Sequence, residues 1–389
     1  EISALPETGE VLWVFHRPPL SGRDTFPVTD PAQLTEREGV ASLCAAPGPE
    51  GLPRELTNAI RAGRVRAVNL AHPRFEELMA PLPRPEKVRV NLLALGDVGS
   101  TLLMGLRLMG GDVISSIGIC DLREGVAQRW EFELNQIQLP GPYDALPPVE
   151  IVSPEQLFDG DVFLFCASRF VPDTAVKTGD VRMAQYQLNR ELAALYARKA
   201  REARYRGLFC VVSDPVDPLC RAVLTESNRA PGGGMDYQGL LTCQVRGFGL
   251  GVMNARAAYY ARQDPRFASF LTDGRTFGPH GEDLVVANSI DRYDDGLSRL
   301  LTERTVHANL QMREMGFKPY VAPALSSGAL SLLLCLRGQW HCSSTYLGGV
   351  FMGARNRVTA AGTELERLPL PRQLQDRLQT TMDRLRAID

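Results

Sequence analysis

Paired cysteines, an excess of one charge and long apolar runs are all missing from this chain. Its eight cysteines stand singly at 44, 120, 166, 210, 220, 243, 335 and 342. No Cys-x-x-Cys pair occurs, which argues against a zinc site. Cys120, Cys166 and Cys210 fall in apolar stretches, where a free thiol behaves as a small hydrophobe. This usage predicts a reducing, cytoplasmic setting and no metal. Lys plus Arg number 43 against 45 Asp plus Glu, and the signs are interspersed. A nucleic-acid surface would normally be basic, so none is expected. No apolar run approaches the ~20 residues that cross a bilayer. The longest, residues 329–336, is far too short. No membrane segment and no signal peptide are expected.

What is present points to a globular α/β chain. At 389 residues it is too long for one ordinary core and suits two domains. Residues 1–86 are rich in Pro and Gly and form an extension of unassigned chemistry, either an accessory domain or an oligomer contact. Within it, residues 11–15 read as a strand, 53–62 as a short helix and 81–85 as a linker or extended arm. From residue 87 strands alternate with helices. Strands are expected at 88–95, 113–120, 161–167 and 208–213, and helices at 101–109, 124–136 and 182–204. That alternation predicts a Rossmann-type, doubly wound parallel sheet over 87–217. Residues 218–389 are more mixed. Short strands near 284–290 and 342–351 and a helix over 371–388 predict an α+β substrate domain.

Two segments carry chemistry. The first strand runs into Gly96-Asp97-Val98-Gly99-Ser100-Thr101, which opens a helix. Free N–H groups and the helix dipole favour a pyrophosphate there. Ala94 stands where the first glycine of a full GxGxxG would be. The second strand ends at Asp121, about 20 residues on, where an acid would bind ribose hydroxyls and favour NAD over NADP. Gly96, Val98, Gly99 and Asp121 are therefore the cofactor-binding candidates. Asp97 reads as a solvated side chain. The second segment is Gly278-Pro279-His280-Gly281-Glu282-Asp283. Its imidazole, flanked by glycines, suits proton transfer near neutral pH.

From residue 87 to about 385 the chain resembles the lactate and malate dehydrogenase family. Five short motifs occur in order: Gly96-Asp97-Val98-Gly99, Asp121, Ser213-Asp214-Pro215-Val216-Asp217, Asn254-Ala255-Arg256 and Gly278-Pro279-His280-Gly281. The resemblance implies hydride transfer between NAD(H) and a 2-hydroxy or 2-oxo acid, in a homo-oligomer. His280 would exchange the proton. Arg256 would bind the substrate carboxylate. Arg182 would polarise the reacting carbonyl, and residues 171–180 would form the lid.

Three departures from the family pattern stand out. Met253 occupies the position of the aspartate that fixes the histidine tautomer. Asp214 replaces a substrate-facing asparagine. Val171 lies at the lid's specificity position, with Arg169 two residues earlier as a second substrate-binding candidate. The leading expectation is an NAD-dependent oxidoreductase with an altered pocket, in which Asp214 serves His280 in place of the missing carboxylate. The alternative is a nucleotide-binding or structural protein that keeps the fold without the chemistry. NAD-dependent glycoside hydrolysis on a related fold would need a metal, and residues 210–215 lack the ligand pattern for it.

Overall fold

Strand Val88–Leu93 lies at the centre of a nine-stranded sheet. Val90, Leu92 and Leu93 are buried, as expected of a strand covered on both faces. In this computed structural model, residues 8–35, 38–83, 85–169 and 180–388 are described, with backbone only for 180–184. Ile114–Cys120 and then Val149–Ile151 pair in parallel on one side of the central strand. Val162–Phe165, Leu208–Val211 and Val245–Gly247 follow in parallel on the other. This is the 3-2-1-4-5-6 order of a doubly wound dinucleotide sheet. The expected division at residue 217 falls between the fifth and sixth of these strands. The antiparallel strands His341–Tyr346, Phe351–Thr359 and Gly362–Leu365 extend the sheet.

Register sets the functional edge. Leu93 pairs with both Cys120 and Phe165, Phe165 with Val211, and Val211 with Gly247. The carboxyl ends of these strands are therefore level. The loops bearing Gly96, Asp121, Arg169 and Asp214 emerge along one edge, on either side of the point where strand order reverses. Ligands bind at such edges in open α/β sheets.

The helix after the central strand starts at Asp97 and runs to Met109, four residues earlier than the pattern from Thr101 suggested. Leu102, Leu103 and Leu106 are its buried face. Two glycines set how closely that face packs on the stretch Pro323–Leu330. A Cβ on Gly105 would lie 2.6 Å from the Cβ of Ala329, and one on Gly328 would lie 2.5 Å from Leu102.

Beyond residue 217 there is more helix than the mixed pattern suggested. Val216–Ser227, Leu250–Gln263, Asp295–Glu314 and Arg372–Arg386 are all helical. Pro215 and Pro218 obscure the first of these, yet proline is tolerated in a helix's opening turn. Arg275–Phe277 and Val285–Ala287 form a separate antiparallel pair. The segment joining them carries His280.

The described part of residues 1–86 is an ordered unit. Val11–Phe15 pairs in parallel, and Thr25–Val28 antiparallel, with the intervening strand Val65–Asn69. Helix Arg54–Arg61 buries Leu56, Ala59 and Ile60 against that sheet. The unit docks on the rest of the chain through Asp24 and Thr242, and through Leu82 N–H donating to Ala360 O at 2.8 Å. No described helix is long and apolar enough to cross a membrane.

Candidate active site

His280 is placed by glycine geometry. Gly278 has φ +92° and Gly281 φ +153°, backbone that L side chains rarely adopt. A Cβ on Gly249 would lie 2.8 Å from the Cβ of His280, so a glycine there lets helix Leu250–Gln263 begin directly against the imidazole. Gly278 N–H donates to Gly353 O at 2.9 Å, tying the loop to the extended sheet. The C-terminal helix holds its far end, where Thr381 Oγ donates to Asp283 O.

The carboxylate of Asp214 lies 3.1 Å from His280 Nδ1. An ionised carboxylate only accepts, so Nδ1 carries the proton and the tautomer is set. The Asp214 side chain is 49% exposed and that of His280 19%. The contact therefore opens onto the cleft rather than lying in the core. Asp214 is itself positioned by Asn189 of the long helix Asp180–Glu202, whose Nδ2 donates to Asp214 O at 2.8 Å. The same Asn189 accepts from Arg169 N–H and from Ser168 Oγ. One buried amide thus joins two of the level strand ends.

Sequence reasoning missed a second carboxylate beneath the imidazole. Asp217 is buried and accepts a 2.6 Å bond from Ser344 Oγ. Burial pushes its carboxyl up to about 6, against the opposing pull of Ser344 and His280. Its only sequence signal was its place in Ser213–Asp217. Nothing local points to Ser344, which is 127 residues away.

Arg256 lies on helix Leu250–Gln263, one turn after Met253. Its Nη1 donates to the Met253 sulfur at 3.5 Å, and it joins no salt bridge among the described residues. Burial pulls its guanidinium below the ordinary range, while Tyr260 and Asp214 pull the other way. Asp214 and Arg256 are thus close enough to feel each other without pairing. Arg169 instead bonds Glu191 on the long helix at 2.9 Å, with half its side chain exposed. The side chain of Arg182, and Val171 with the rest of the lid, lie outside the described residues.

At the glycine loop, Gly99 packs so tightly that a Cβ would lie 2.0 Å from Ala94 O. Ala94 takes φ +76°, the conformation a glycine would supply at this place. Gly96 caps the helix without a side-chain bond, and a Cβ there would meet nothing within 4 Å. The space beside Gly96, at the first turn of the helix, is therefore open, as a bound diphosphate requires. Asp121 accepts from Leu95 N–H at 2.8 Å and from Arg123 N–H at 3.0 Å. A carboxylate has about four acceptor positions, which leaves some for ribose hydroxyls. Asp97 is exposed but paired, lying 3.1 Å from Lys318 Nζ, which offsets its charge beside the anion site. These residues fit a dinucleotide.

Two other cavities do not include His280, Asp214 or Arg256. One, of about 460 Å³, lies beside Asp283 and Arg377, and one of about 390 Å³ lies under Pro83 and Pro85. Among the described residues no cluster of three or more His, Cys, Asp or Glu is placed to hold a metal.

Known proteins share this fold. L-lactate dehydrogenase of Mesomycoplasma hyopneumoniae (strain 232) is 24% identical over 204 residues, which is 52% of this chain and 58% of that protein. In sequence the chain is thus distantly similar to the lactate dehydrogenases. Its aligned part spans only 58% of the length of the curated relatives it matches. No protein-family model matches it. The fold is shared more completely. The minor L-lactate dehydrogenase of Enterococcus mundtii superposes with a TM-score of 0.62 at 19% identity, covering 78% of this chain and 98% of that one. Malate dehydrogenase of Archaeoglobus fulgidus, in complex with NADH, gives 0.61 at 16% identity over 77% and 98%. Malate dehydrogenase of Plasmodium falciparum gives 0.60 at 14% over 77% and 96%.

Proposed function

We propose that this chain is an NAD-dependent oxidoreductase acting on a small acid oxidised at its 2-position, with a relocated histidine–carboxylate pair. The observation that carries the reading is the 3.1 Å contact between His280 Nδ1 and Asp214 at the level strand ends. Gly96, Val98, Gly99 and Asp121 would hold the dinucleotide, which when bound supplies or accepts the hydride. His280 exchanges the substrate proton. Asp214 orients the ring and keeps the proton on Nδ1, the task that an aspartate at position 253 would otherwise perform. Arg256, half-buried and without an ion pair among the described residues, offers a planar fork to a carboxylate. By the resemblance, Arg182 would polarise the reacting carbonyl and Arg169 would contribute to substrate binding. The protein works in the cytoplasm as a homo-oligomer.

Met253 favours a second reading, in which the fold persists without turnover. Its thioether occupies Arg256 without neutralising it, and no other residue of that helix turn supplies a carboxylate. Calorimetric titration with NAD(H), followed by assay of NADH oxidation over a panel of 2-oxo and 2-imino acids, separates the two. Turnover that falls about 10²–10⁴-fold in His280→Gln, with NADH binding retained, supports the enzyme. Binding without turnover supports the second reading.

A further inference from the structure

Among the described residues, Arg256 joins no ion pair and Asp214 pairs only with His280. Arg256 has no anionic partner among the described residues, and its only side-chain bond is to the Met253 sulfur. The carboxylate of Asp214 spends one oxygen on His280 Nδ1. Its other oxygen has no hydrogen-bond donor among the described residues, and the side chain is 49% exposed. The two groups influence each other electrostatically but are too far apart to form a salt bridge. Each is therefore left to be satisfied by a ligand.

We infer that the cleft is built for a zwitterion and that the substrate is a 2-amino acid, oxidised to its 2-imino acid. This deepens the oxidoreductase reading and rests on it. The substrate carboxylate meets Arg256 and the ammonium meets Asp214, each through charge-assisted hydrogen bonds. A 2-oxo acid fits worse, because its carbonyl oxygen and the Asp214 carboxylate are both acceptors with no proton between them. A 2-hydroxy acid can donate one neutral hydrogen bond but leaves the negative charge uncompensated. Discrimination comes from this repulsive element as well as from the attractive one.

The reaction balances with the dinucleotide as oxidant. The ammonium first gives one proton to His280. The amine lone pair then forms the C=N bond as the Cα–H bond breaks, its electron pair leaving with the hydrogen as hydride to NAD⁺. The products are the iminium acid, NADH and the proton on His280. Water then converts the iminium acid to the 2-oxo acid and ammonium, away from or within the cleft.

The test uses the full chain saturated with NADH, which cannot accept hydride, so that ligand binding is read without turnover. Calorimetry compares a panel of 2-amino acids with the matching 2-hydroxy acids, each as both enantiomers. The expected result is binding of at least one 2-amino acid about tenfold or more tighter than its hydroxy counterpart. NAD⁺ reduction should follow the same order. In Asp214→Asn the amino-acid affinity should fall about 10²-fold while hydroxy-acid affinity rises. If the wild-type protein binds NADH but favours 2-hydroxy acids, the zwitterion assignment is overturned and the oxidoreductase reading survives. If it binds no NADH, the oxidoreductase reading falls and this inference falls with it. The wild-type comparison decides the matter even where the variant folds poorly.

Discussion

Ser344, on an antiparallel strand added to the parallel sheet, donates a 2.6 Å hydrogen bond to Asp217 at the opening of helix Val216–Ser227. The bond fastens the turn that carries Asp214 to the extension of the sheet. Ionising this buried carboxyl is costly, because burial raises it from 3.8 to about 6. The sign follows from which state binds more protons. Between the unfolded and folded values the native protein holds the extra proton, so this group's contribution to stability falls as pH rises through that window. Asp217→Asn is therefore expected to stabilise the protein relative to wild type above about pH 6. The gain is on the order of 3 kcal/mol at most, and it vanishes below about pH 4. Urea unfolding of both proteins at pH 4 and pH 8 measures it. A variant equally destabilised at both values would mean that the carboxylate acts through its hydrogen bond to Ser344 alone.

Much of the sheet was legible in the sequence, because each parallel strand is a short apolar run closed by a turn. The runs containing Val90, Ile117 and Phe163 are buried on both faces and needed no distant partner to be recognised. Asp214 was also legible, since a carboxylate at that place in the motif next to a catalytic-type histidine suggested their contact. Asp217 and Asn189 were not, because their partners are set by tertiary packing rather than by neighbours in the chain. Helix Asp295–Glu314 was missed for a related reason. It buries only Ser298, Leu301 and Thr305, too weak an apolar stripe to declare its period. Arg169 looked like a pocket residue from its place before the lid, and the structure gives its guanidinium to Glu191.

Ala94 and Gly99 make opposite predictions about the cofactor loop. Ala94 adopts φ +76° at a cost of roughly 1 kcal/mol for a residue with a Cβ, so Ala94→Gly should relieve that cost, less the chain entropy glycine adds. The melting temperature should stay level or rise slightly and NADH binding should be kept. Gly99→Ala would force a Cβ to within 2.0 Å of Ala94 O, a backbone atom that cannot step aside. The loop must then open, and NADH affinity should fall by about tenfold or more, on the usual equivalence of about 1.4 kcal/mol per factor of ten. Equal NADH binding by both variants would place the dinucleotide somewhere else.

Met253 and Asp214 should be changed together. Met253 is 1% exposed, with its sulfur 3.5 Å from Arg256 Nη1. Met253→Asp alone introduces a buried carboxylate that pairs with Arg256 and competes with the substrate. Adding Asp214→Asn removes the negative charge facing the cleft and leaves the new carboxylate free to serve the histidine. The double variant is expected to turn over lactate and malate faster than wild type, while either single change does little, as for residues that act as a unit. Steady-state NADH formation reads this directly. A double variant that binds NADH yet stays inactive would mean that the pocket differs at further positions.

One buried carboxylate helps hold the N-terminal unit to the rest of the chain. Asp24 is fully buried, and its Oδ2 accepts from Thr242 N–H at 2.9 Å and from Thr242 Oγ at 2.8 Å. Its other oxygen lies 4.0 Å from His72 Nε2, too far for a hydrogen bond. His72 Nδ1 accepts from Arg74 N–H at 3.1 Å, so the ring proton sits on Nε2 and faces Asp24. Burial lowers the His72 imidazole below its ordinary range, so this proton is that of a neutral ring near pH 7. Asp24→Ala leaves the Thr242 hydroxyl and N–H buried without their acceptor, which typically costs about 1–3 kcal/mol for each unsatisfied group. A loss of roughly 2–4 kcal/mol is expected for the pair, since a cavity of this size relaxes only in part. Arg206→Gln breaks a pair with Glu77 in which both side chains are about half exposed, and should cost under about 1 kcal/mol. Hydrogen exchange gives a local reading. Amides of strand Val65–Asn69 should lose protection in Asp24→Ala while those of Leu208–Val211 keep theirs, because the docking contact opens before the parallel sheet does. Equal loss in both strands would mean that the unit and the body unfold as one, and that Asp24 contributes to global stability rather than to docking.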